Sequence, residues 1–167
     1  MSLHDPGCGL SRRGASMTMP KAGGSDPQIR VFVYRNIVEH GQPPTVVETA
    51  TGMDLPPDEV RAAYGRLHDG HALLLEPGAH TIRMAWPFSC VPTPFRVQAR
   101  GRRYWANCAW DALGIPALLQ TDARIESVFA DTGEPVTLTV ADALVHGQGL
   151  AHFAVPFRRW YADLVFT

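Results

Sequence analysis

The feature that most constrains the fold is how proline and glycine punctuate residues 41–57. Gly41-Gln42-Pro43-Pro44 closes one helical pattern, and Pro56-Pro57 opens another. Only a short helix fits between them. Thr45-Val46-Val47-Glu48 supplies its start, because a threonine followed three residues later by glutamate is a capping box, and Gly52 is expected to end it. The preceding pattern begins after Pro27, with Ile29, Phe32, Val33 and Ile37 on one side. The following one carries Val60, Ala63, Tyr64 and Leu67 at helical spacing. A strand from His71 to Leu75, the turn Glu76-Pro77-Gly78 and a return strand from Thr81 to Trp86 come next. Three helices and a β-hairpin make a winged-helix-like unit over residues 27–86.

Such units often bind DNA, but charge argues against it here. Between residues 27 and 86, Arg30, Arg35, Arg61, Arg66 and Arg83 face Glu39, Glu48, Asp54, Asp58, Glu59, Asp69 and Glu76. Phosphate contact needs a positive face, so a packing role is favoured over nucleic-acid binding. The whole chain of 167 residues has a formal net charge of −1, which gives no general pull toward polyanions or acidic membranes. No apolar run approaches the length of a membrane span, about 18 residues. Residues 1–26 are rich in Gly, Ser and Pro and read as a disordered leader. Cys8, Cys90 and Cys108 cannot form a closed disulfide set and lack zinc-finger spacing, so free thiols in a cytoplasmic setting are expected.

The second part, residues 87–167, reads as a mixed α/β domain, making the fold class α+β. Strands are expected at Phe95–Val97, Arg102–Trp105, Arg124–Ala130, Pro135–Val140, Leu150–Val155 and Leu164–Phe166. A short helix carries Cys108 and ends at Gly114 and Pro116, with a further turn at 117–119. Arg100, Arg102 and Arg103 read as a solvated strand edge. His146 and His152 are too isolated to argue for a metal site.

Chemistry concentrates at Cys108 and Asp111. Three residues apart, their side chains share one helix face. The positive helix end is expected to lower the thiol pKa, and an apolar wall of Tyr104, Trp105 and Trp110 to raise that of the acid. Cys-x-x-Asp alone is a weak motif, since free cysteine is commonly a buried apolar residue.

The flanking sequence is more specific. Tyr104-Trp105-Ala106-Asn107-Cys108-Ala109-Trp110-Asp111-Ala112-Leu113, then Ile115-Pro116-Ala117-Leu118, then Asp131-Thr132-Gly133-Glu134-Pro135-Val136-Thr137-Leu138-Thr139-Val140, resembles the alkylmercury (organomercurial) lyase family. The resemblance implies a mixed α+β fold behind a winged-helix-like unit, organomercury detoxification, and no organic cofactor. It implies that Cys108 takes the mercury of an organomercurial and Asp111 relays a proton to carbon. The products are a hydrocarbon and mercury(II), which cellular thiols or a mercuric reductase accept. Mercury(II) is very soft and prefers sulfur ligands.

The family shares the metal with a second cysteine later in the chain, and none follows Cys108 here. The segment Arg159-Trp160-Tyr161-Ala162-Asp163-Leu164-Val165-Phe166-Thr167 resembles the one just before it. The favoured expectation is a selenocysteine codon, read as a stop, directly after Thr167. Truncation for another reason and a complete, degenerate homologue are the alternatives. Without that position the chain is expected to bind mercury and cleave slowly or not at all. Cys90 is the candidate substitute ligand, provided the two sulfurs lie within about 7 Å. The rival readings are a non-catalytic thiol module for mercury or other soft metals and a winged-helix metal-responsive regulator.

Overall fold

A computed structural model describes residues 26–153 and 155–162. The leader (apart from Asp26) and its Cys8, the Leu164–Phe166 strand and the position after Thr167 lie outside the described residues.

Three helices come first: α1 (Asp26–His40), α2 (Val46–Met53) and α3 (Pro57–Asp69). The expected capping box is formed in full. Thr45 Oγ1 accepts from the Glu48 amide at 3.2 Å, and Glu48 Oε2 accepts from the Thr45 amide at 2.7 Å. α2 runs one residue past Gly52 because Asp54 adopts the left-handed cap conformation. The Phe32 ring explains the glycine, since its tip lies 2.5 Å from where a Cβ at Gly52 would be.

The three helices close on Ile29, Val33, Val60, Ala63 and Tyr64, all fully buried. Within that apolar contact Tyr64 shares a 2.7 Å hydrogen bond with Thr49. Burial pushes the phenol pKa up to about 12. Tyr64→Phe would leave the buried Thr49 hydroxyl without this partner. The expected cost is about 1–2 kcal/mol, readable as a lower urea midpoint at unchanged slope.

An eight-stranded antiparallel sheet follows: β1 (Leu74–Leu75), β2 (Ile82–Ala85), β3 (Phe88–Ser89), β4 (Phe95–Ala99), β5 (Arg102–Ala106), β6 (Ala123–Val128), β7 (Pro135–Ala141) and β8 (Leu144–His146). Their spatial order is β1-β2-β3-β5-β4-β6-β7-β8. β2 pairs with both β1 and β3, so the hairpin after the three helices is continuous with the rest of the sheet. Helix α4 (Ala109–Leu119) packs on β4, β5 and β6. That face of the sheet carries buried Val97, Ala99, Tyr104, Ala106, Ala123, Ile125 and Val140. Two tyrosines tie α1 to this layer: Tyr34 Oη donates to the Trp86 carbonyl at 2.7 Å, and Tyr104 Oη to the Val38 carbonyl at 2.9 Å.

The α+β class with an antiparallel sheet is therefore observed, but several local expectations are corrected. α4 runs straight through Gly114 and Pro116 instead of ending there. Pro116 and Ile115 are buried, and Gly114 sits where a Cβ would press to 3.2 Å from Pro87 Cβ. Packing on the sheet outweighs the missing amide hydrogen bond. The strand expected from His71 is confined to Leu74–Leu75. The described part of Leu150–Val155 is not a strand; Leu150 is 98% exposed, and a short 3-10 helix at Phe157–Ala162 follows. The next strand after β7 is instead β8, reached through Asp142 and Ala143, both at positive φ. By contrast, Arg102 and Arg103 keep the expected solvated edge, since β3 pairs only with Trp105 and Ala106 and leaves the start of β5 paired to β4 alone. Arg100, in the turn before β5, donates from Nη2 to the Leu119 carbonyl at 2.5 Å and so finishes the C-terminus of α4.

Candidate active site

Helix α4 starts where β5 ends. Ala106 is the last β5 residue, and Cys108 is the N-cap of α4 with extended backbone angles, φ −149° and ψ −179°. Asp111 is therefore the third helical residue, the position from which a side chain folds back over the cap. Cys108 Sγ donates to Asp111 Oδ2 at 3.6 Å. This has the arrangement of a capping box with a thiol in place of the hydroxyl. Sulfur is a poor acceptor, and no side-chain cap hydrogen bond forms.

Both groups are tuned by burial. Asp111 is only 9% exposed, and desolvation lifts its pKa to about 6 although the thiol contact pulls the other way. The Cys108 thiol is also raised, chiefly by burial and further by the neighbouring carboxylate. The backbone amides of Asp111 and Trp110 favour the thiolate but do not offset that burial. The expected lowering of the thiol pKa is thus reversed, because desolvation of the half-buried sulfur outweighs the positive helix end. At neutral pH the pair holds one proton, on sulfur, directed at a carboxylate.

The expected aromatic wall is not built from Tyr104, Trp105 and Trp110. Tyr104 lies in the core beneath α1, and Trp105 lies on the opposite sheet face, where Arg96 sits 5.8 Å from its ring centroid. Trp110 is 61% exposed and meets Phe153 edge-on at 6.3 Å; Phe153 in turn stacks on Trp160 at 5.5 Å. The neighbour missed by sequence reasoning is Pro87, against which the Gly114 side of α4 packs. Its signal was present, since a glycine one turn beyond Asp111 marks a close approach.

Cys90 lies just past the end of β3, where its amide donates to the Arg83 carbonyl at 2.9 Å, while Cys108 lies beyond the end of β5 at the start of α4. Cys90 packs against the hydrophobic core, and burial drives its thiol pKa up to about 12. Among the described residues no group of three or more His, Cys, Asp or Glu side chains is arranged to hold a metal ion. None of the described helices is long and apolar enough to cross a membrane.

A half-buried thiol hydrogen-bonded to a buried carboxylate thus sits at the first turn of a helix on an antiparallel α+β scaffold. Residues 88–161 match the alkylmercury lyase family model. The chain is 32% identical over 121 residues to an alkylmercury lyase of Streptomyces lividans, covering 71% of this chain and 54% of that protein. It is 29% identical over 100 residues to one from Bacillus cereus, covering 60% and 44%. A crystal structure of the mercury-bound form of MerB2 superposes with a TM-score of 0.62 at 25% identity, covering 75% of this chain and 60% of that one. Across this region the chain is similar to the alkylmercury lyase family. It spans about half the length of the curated relatives it matches.

Proposed function

We propose that this protein protonolyses carbon–mercury bonds of organomercurials, with Cys108 as the mercury ligand and Asp111 as the proton relay. The observation that carries this reading is the 3.6 Å hydrogen bond from Cys108 Sγ to Asp111 Oδ2. An incoming R–Hg–X meets the thiol, sulfur takes the mercury, X− departs, and the thiol proton passes to Asp111. The carboxyl, whose buried site favours the neutral form, now holds a proton beside the new S–Hg–R unit. Transfer of that proton to carbon, with the Hg–C electron pair, releases R–H. It leaves mercury(II) on Cys108 and returns Asp111 to carboxylate. Solution thiols then remove the metal, consistent with the preference of mercury(II) for sulfur.

This scheme fixes a pH dependence. The competent pair carries one proton in total. Below about pH 6 Asp111 is already protonated and cannot accept the thiol proton, so mercury capture slows. At high pH, above the raised thiol pKa, the pair has no proton to give to carbon. Single-turnover release of benzene from phenylmercury, followed by gas chromatography from pH 5 to 10, is expected to show a neutral plateau with both limbs falling. A rate that climbs steadily toward low pH would reject Asp111 as the acceptor; no hydrocarbon at any pH would reject the activity.

The finer architecture belongs to the same proposal. Residues 27–86 are read as a winged-helix-like unit ahead of a catalytic part over residues 87–167, a reading supported by the order of three helices and a hairpin. Its acidic balance supports a packing role. Free thiols and a substrate that reacts with thiols support a cytoplasmic setting.

A further inference from the structure

The sheet face turned away from α4 carries a row of side chains that the proposed chemistry does not use. Arg103 pairs with Gln98, Gln98 with Arg124, Arg124 with Thr139, and Thr139 with His146. Directly paired residues on antiparallel strands point to the same side, so these five form one line across β5, β4, β6, β7 and β8. All five are exposed. The line holds two guanidiniums, an amide, a hydroxyl and an imidazole, with no carboxylate.

An ordinary solvated sheet face alternates signs across strands, because like charges close together on one face repel. Here Arg103 and Arg124 flank Gln98, about 10 Å apart at two strand spacings. Arg124 is partly engaged, by Glu126 at 3.1 Å and by Thr137 at 3.3 Å. Among the described residues the Arg103 guanidinium has no protein acceptor. Asp122, the one acid of the adjoining cleft of about 670 Å³, already accepts the Asp142 amide at 3.1 Å. That cleft is lined by four arginines, Arg100, Arg102, Arg103 and Arg124, in a chain whose net charge is −1.

We propose that this row is a binding site for an oligophosphate anion. The phosphate chain lies over Gln98, bridged by the Arg103 and Arg124 guanidiniums, with Gln98 donating between them and Thr139 donating on the far side of Arg124. Arginine suits this task because its planar fork bonds two oxygens of one phosphate. The site is independent of the thiol–carboxylate pair, which α4 holds over the other face.

Calorimetric titration of the whole protein with tripolyphosphate, pyrophosphate and orthophosphate at low ionic strength tests the proposal. Saturable binding is expected, strongest for tripolyphosphate and weakening as salt rises. Arg103→Gln and Arg124→Gln are each expected to weaken it about tenfold, in line with the loss of one charge-assisted contact. Amide shift changes in the wild type, centred on Gln98 and Thr139, give a readout that does not depend on any variant folding. Absence of saturable binding, unchanged affinity in both variants, or shift changes elsewhere would overturn the assignment. Tighter binding of a single-stranded oligonucleotide, accompanied by quenching of Trp105, would also overturn it, because stacking on that ring would then define the ligand.

Discussion

Cys108→Ser is expected to abolish mercury capture at the start of α4. The hydroxyl is nearly isosteric with the thiol and caps helices better, so the fold tolerates it. Oxygen is nonetheless a hard ligand that mercury(II) disfavours against any competing thiol. Cys90 is a poor substitute, because burial drives its thiol pKa up to about 12. Intact-mass spectrometry in a Cys8→Ser background, after incubation with an organomercurial and removal of the excess in thiol-free buffer, would check this. Wild type should retain a mercury adduct and the serine variant none; a stable adduct on the serine variant would remove Cys108 from its assigned role.

Asp111→Asn is expected to separate binding from cleavage. The amide keeps an oxygen that can accept the S–H hydrogen bond, but it cannot take up and return the proton. Hydrocarbon release should fall by about 10²- to 10⁴-fold, the usual range for a general acid–base group, while the adduct on Cys108 persists. The same substitution should stabilise the fold, and the sign follows from the raised pKa. Folding shifts the Asp111 carboxyl from an ordinary 3.8 to about 6, so the folded state prefers the neutral acid. That preference favours folding fully below pH 4 and is lost as pH rises through 6, leaving a buried charge that costs up to about 3 kcal/mol. Asparagine carries no such charge. Melting curves should therefore show a gain at pH 8 that shrinks toward zero near pH 4; an equal gain at both would indicate that burial of the charge is not its cause.

How far the fold was legible depended on whether a signal was local. The Thr45–Glu48 box and the Pro56-Pro57 start are complete within a few residues, and both are formed as expected. The α4 boundary was not local. Gly114 and Pro116 are breakers in isolation, and only the sheet beneath and Pro87 beside them make a continuous helix the better solution. β8 escaped notice because its turn, Asp142-Ala143, lacks the glycine that usually marks positive φ. Leu150–Val155 has strand composition, yet Leu150 has nothing to pack against among the described residues. At the site, the pairing of Cys108 with Asp111 followed from helical spacing. The direction of the thiol pKa did not, since burial depends on what α4 packs against.

One turn of helix α4 combines two liabilities. Its cap residue is a sulfur that leaves the helix start without a side-chain hydrogen bond, and its third residue is an acid that the fold would rather keep neutral. Serine at the first position and asparagine at the second would each suit the backbone better. A library of this protein screened for heat resistance alone should therefore gather its winners in this turn, and those survivors would have lost most or all cleavage of organomercurials.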